Sequence, residues 1–80
     1  MSNWAKEITA PTHPRQESLG EALREAEAAA AQVQNGEGAV ELSPQSAYIR
    51  RLQHLVAEKH SLSSRSLGRE PERRVKIYRD

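Results

Sequence analysis

The sequence has no cysteine and no phenylalanine, one tryptophan and two tyrosines. Without cysteine there is no disulfide framework and no thiolate metal site, in keeping with a reducing compartment. With so few aromatics, a core must be assembled from Leu, Ile, Val and Ala. No apolar run approaches the roughly 18–20 residues that a membrane-spanning helix needs. Met1 to Ala10 lack the charged start and apolar centre of a secretory signal, so a cytoplasmic location is the expectation. There is no Gly-x-x-x-x-Gly-Lys-Ser/Thr loop to cradle the phosphates of ATP. His13, His54 and His60 do not fall at a metal-ligand spacing. No carboxylate is implied beside His54 to orient it toward a serine. The expectation is therefore a protein with no metal, no cofactor and no catalytic role.

What is present is a division of charge. The net charge of the 80 residues is +1. Up to Leu42 there are three Lys/Arg against seven Asp/Glu, a balance of −4. From Ser43 onward there are nine against four, a balance of +5. A basic second half points to polyanionic partners. The length allows one small domain, which buries only about 60% of the surface its unfolded chain exposes.

Residues 1–17 hold Thr9, Pro11, Thr12, His13 and Pro14 with no period, and read as a mobile tail in which Trp4 is the large apolar group. Ser18-Leu19-Gly20-Glu21 reads as a capping box that opens an Ala-rich helix over residues 18–36. Leu19, Leu23, Ala26, Ala30 and Val33 give that helix a narrow apolar face. Covering the domain's own core is the first reading of this face; a protein partner for it, or for the tail, is the other. Asn35-Gly36 closes the helix. Ala39 to Leu42 alternates as a strand, and Ser43-Pro44 reads as the start of a second helix that runs to about His60.

On a helical wheel centred on Leu52, Tyr48, Ile49, Leu55 and Val56 fall within about 60° and form an apolar stripe. The same wheel places Arg50 and His54 on the opposite, outward side, one turn apart. Like charges at that spacing repel modestly, so the pair makes best sense with an anion lying over it. After this helix, Leu62 to Leu67 can be extended, Gly68 to Pro71 turns, and Arg73 to Tyr78 alternates. Val75 and Ile77 then face one side. Arg74, Lys76 and Tyr78 face the other, where Arg65 can join them. Cations beside an aromatic ring suit a single strand, by phosphate neutralisation and base stacking.

The order helix, strand, helix, strand, strand predicts an α+β domain: two layers, with a three-stranded sheet and two helices packed on one face. Three blocks in this order, Arg50 with His54, Ser64-Arg65-Ser66 with Gly68, and Glu70-Pro71 with Arg73-Arg74-Val75, resemble the R-3-H domain, named for an Arg and a His separated by three residues. The resemblance covers residues 43–78, within a nucleic-acid-binding domain expected over residues 37–80. Residues 20–42 show a weaker likeness to the segment that precedes this domain at the carboxyl end of certain cyanobacterial and plastid ATPases. The resemblance implies binding of single-stranded nucleic acid, RNA or DNA, with Arg50 and His54 at the contact surface. His54 is open to two roles, phosphate contact or support of the hairpin through the Ser64-Arg65-Ser66 backbone. The full set of candidate nucleic-acid contacts is Arg50, Arg51, His54, Arg65, Arg73, Arg74, Lys76 and Tyr78. Ser64, Ser66, Gly68 and Pro71 read as structural.

Overall fold

Small side chains make the first helix a close-packing wall. A computed structural model describes residues 14–80, with side chains from Leu19 onward. Helix α1 spans Pro14–Gln34. It starts four residues before Ser18, so the capping box lies inside the helix and does not open it. Proline fits a first helical position because its missing amide would be unpaired there, and Arg15-Gln16-Glu17 are good helix formers. The rest of the expected tail, residues 1–13 with Trp4, lies outside the described residues. Ala22, Ala26, Ala29, Ala30 and Val33 are buried along one face of α1. The helix ends at Gln34, and Asn35-Gly36 forms the closing turn, as expected. Gly36 has φ +117°, its amide donates to Val33 O, and the Glu37 amide donates to Gln32 O.

Strand β1 spans Ala39–Glu41. The second helix starts later than Ser43-Pro44 predicts: α2 spans Ala47–Lys59, and its cap is Ser46, whose hydroxyl accepts from the Ile49 amide at 3.4 Å. Ser43 is held elsewhere. Its amide and hydroxyl both donate to the Glu25 carboxylate, at 2.9 and 3.0 Å. The Gln45 amide donates to Arg73 O. Those bonds keep residues 43–45 running beside the sheet rather than coiling.

Strands β2 (Ser63–Leu67) and β3 (Arg74–Tyr78) pair antiparallel, and β1 pairs antiparallel with the other side of β3. The sheet order is β1-β3-β2, so β2 is an edge strand. Val75 and Ile77 are fully buried and meet Ala26, Ala29, Val33, Leu42, Val56 and Ala57 in one core. Both helices therefore cover the Val75/Ile77 face, and the architecture is the expected α+β one in the order α-β-α-β-β. Among the described residues no helix is long and apolar enough to cross a membrane.

Helix α2 departs from the wheel centred on Leu52. Its buried residues are Arg50, Gln53, Val56 and Ala57, while Tyr48 and Leu55 are exposed and Leu52 is only half-buried. The inward face is centred near Gln53, about 100° from the expected centre. Two polar anchors and one small residue account for the rotation. Gln53 Nε2 donates to Ala22 O on α1 at 3.0 Å. Arg50 finds partners at the sheet's turn. Ala57 is fully buried in the core cluster, where a larger residue would have no space.

Candidate nucleic-acid interface

Arg50 is an inward residue, not an outward one. Its side chain is 10% exposed, and Nη1 donates to Gln45 O at 2.7 Å and to Glu70 Oε2 at 3.1 Å. The guanidinium thus ties the start of α2 to the turn between β2 and β3. The apolar stem can be buried while the charged head keeps partners. Glu70 stands in the third block of the sequence motif, but nothing in its spacing marks it as a partner of Arg50, twenty residues away.

His54 is half-buried over the edge strand. Its Nδ1 lies 2.7 Å from Ser64 Oγ and its Nε2 3.1 Å from Ser66 Oγ. In the neutral ring one nitrogen donates to a serine and the other accepts from the second serine. Ser64 pairs in register with Ile77 and Ser66 with Val75, so both hydroxyls lie on the helix-facing side of the sheet. The hydrogen bonds go to serine side chains, not to the backbone of Ser64-Arg65-Ser66.

Burial, and then the nearby Arg50 charge, push the His54 pKa below its ordinary 6.5. Protonation favours the unfolded chain, so the stabilisation is full above about pH 6.5 and is lost as pH falls below it toward the folded-state value. Between pH 7.5 and 5, wild type should lose more thermal stability than His54→Gln does. Equal losses in calorimetry would contradict this placement of the ring.

Among the described residues no helix covers the other sheet face. Arg65 on β2 stands directly opposite Lys76 on β3, and Glu41 on β1 stands on the far side of Lys76. Lys76 Nζ lies 6.0 Å from the centre of the Tyr78 ring. Arg65 is exposed, and among the described residues no carboxylate pairs with it. The acids on this face stand at its margins. Glu41 pairs with Arg74 Nε at 3.0 Å, and Asp80 accepts from Ser63 Oγ at 2.7 Å. Arg74 also donates to Glu72 O, and Arg73 donates to Gly68 O. These two arginines are engaged in holding the turn and β1.

Arg51 is exposed and lies about 60° beyond His54 on the flank of α2 that borders β2. The candidate residues therefore form two groups. Arg50, Arg73 and Arg74 are drawn into internal bonds. Arg51, His54, Arg65, Lys76 and Tyr78 surround the β2 edge from both faces. The sequence pattern separates a helix surface from a sheet surface; the position of β2 at the sheet's edge brings them next to each other. Among the described residues no group of three His, Cys, Asp or Glu side chains could hold a metal ion. His60 is half-buried and bonds the Glu27 carboxylate at 2.7 Å, beside Lys59 at 2.6 Å.

The fold and site define a small two-layer α+β domain with a basic sheet edge. The model of the R-3-H domain family matches residues 21–79, and the chain belongs to that family. Domains of this family are in general nucleic-acid-binding domains. The chain is also similar to the uncharacterized protein ycf45 of Porphyra purpurea, with 46% identity over 44 residues. That match spans 55% of this chain and 8% of the relative's length.

Proposed function

We propose that the domain binds single-stranded nucleic acid through its phosphates, along the β2 edge, with no catalytic step. The observation that carries this reading is the Arg65–Lys76 pair. The two cations are opposite each other in register on a face that no helix covers among the described residues, with Tyr78 beside Lys76. Guanidinium and ammonium groups there can neutralise successive phosphates, and the ring offers a surface for a base. Arg51 extends the positive surface over the edge. In this reading Arg50 and His54 act as positioning residues. Arg50 fixes the turn, and His54 holds the strand that presents Arg65. The pairing of His54 with hydroxyls, not with a carboxylate, supports binding over nucleophilic catalysis.

The adaptor reading has less to stand on. The Ala-rich face of α1 is buried in the domain's own core and is not free for a partner.

Titration of a fluorescent short single strand at several salt concentrations tests the proposal. Arg65→Ala and Lys76→Ala should each weaken binding. Each should also lower the slope of log affinity against log salt by about 0.7, the value for one lost phosphate contact on a single strand. Arg24→Ala, on the exposed side of α1, should change neither. Wild-type affinity from both sheet variants at every salt concentration would sink the proposal.

A further inference from the structure

Tyr48 is 65% exposed and Leu55 is 52% exposed. In a chain with one tryptophan and two tyrosines, α2 thus leaves a tyrosine in water while arginine and glutamine turn inward. Seven residues separate the two, which places them about 20° apart on the outer side of the helix. Arg51 stands between them, three residues after Tyr48 and four before Leu55, within reach of both. Among the described residues no carboxylate pairs with Arg51. Glu58, the next acid on this flank, comes three residues past Leu55, at the end away from Tyr48. Arg51 in turn borders His54 and the β2 edge. The patch is therefore continuous with the surface proposed above, and the inference rests on that reading.

We infer that Tyr48 is a stacking platform for one unpaired base of the bound strand, with Arg51 taking the adjoining phosphate and Leu55 covering the edge of the base. Charge complementarity selects this occupant. A purely apolar partner would leave Arg51 desolvated without an anion, whereas a nucleotide supplies a flat apolar face and a phosphate together. The arrangement also selects against a duplex, whose base faces are already stacked on their neighbours. Tyr48 is thus a specificity-determining residue for unpaired nucleotides. Arg65 and Lys76, which meet only the backbone, do not discriminate in this way.

The test measures affinity of the full chain for three probes: a short single strand, the same strand annealed to its complement, and an abasic sugar-phosphate strand of equal length. Tyr48→Ala should weaken binding of the single strand by about 5- to 150-fold, the range for loss of one stacked base. Tyr48→Phe should retain the affinity, because the ring is kept. Neither variant should change binding of the duplex or the abasic strand. Both should unfold at the wild-type temperature, since the side chain is exposed. A Tyr48→Ala chain that binds the single strand like wild type, while Arg65→Ala does not, overturns the stacking and leaves the phosphate reading in place. An equal loss on the abasic strand also overturns the stacking. A wild-type chain that binds none of the three probes overturns both readings.

Discussion

Arg50→Ala is expected to destabilise the domain by about 2–3 kcal/mol, a sizeable part of the roughly 5–15 kcal/mol that holds most small domains together. The guanidinium is 10% exposed and gives one nitrogen to both Gln45 O and Glu70 Oε2. Its loss leaves that carbonyl without its charged donor and removes an apolar stem from beside α2. It also frees the turn that carries Glu70 from the start of the helix. Glu70→Gln is the informative companion. The Glu70 side chain is 62% exposed, so the ion pair itself is worth at most about 1 kcal/mol. The alanine variant should therefore cost clearly more than the glutamine variant in urea denaturation. A solvated helix charge would shift stability by less than about 0.5 kcal/mol when removed, and that result would contradict the inward placement.

The second large effect tests the rotation of α2, on which the whole surface depends. Ala57 is fully buried, in the core cluster that includes Val75 and Ile77. Ala57→Leu should cost about 1–3 kcal/mol, because the added atoms have no space without moving the helix. Leu55→Ala, on the exposed flank, should change stability by no more than about 0.5 kcal/mol. In a domain of this size each kcal/mol moves the midpoint by about 4–8 °C, so thermal unfolding separates the two variants readily. The wheel centred on Leu52 predicts the reverse order. A costly Leu55→Ala beside a tolerated Ala57→Leu would restore that wheel and turn Arg50 and His54 outward.

The sheet is legible in the sequence because its alternation is simple. Val75 and Ile77 are apolar among cations, and they are the fully buried residues of β3. Gly36 is legible because few other residues tolerate its backbone angle. The sequence misplaces the start of α1 because Ser18 and Glu21 imitate a helix start, while Pro14 offers an equally valid one four residues earlier. The start of α2 is misplaced for a related reason. Ser43 and Ser46 are both competent caps, and the choice between them is made by Glu25, which binds Ser43 from another helix.

The face of α2 is not legible from periodicity. A wheel ranks residues by hydrophobicity, but this face is set by polar anchors whose partners are distant in sequence. Gln53 bonds Ala22 O and Arg50 bonds Glu70, and neither partner is implied by the helix itself. The sheet-face positions of the candidate residues are legible in the sequence; the inward placement of Arg50 is not. Arg65, Lys76 and Tyr78 lie on the open sheet face as alternation predicts. That β2 forms an edge follows from the strand order β1-β3-β2, which pattern alone does not fix.

The most direct test of the β2-edge surface is an NMR titration of the isotopically labelled full chain with a short single strand. Amide shifts on binding should concentrate at Arg51, His54, residues 63–67 and residues 76–78, with little change along the outer side of α1. Shifts confined to α1, or spread evenly over the domain with none at β2, would contradict the account.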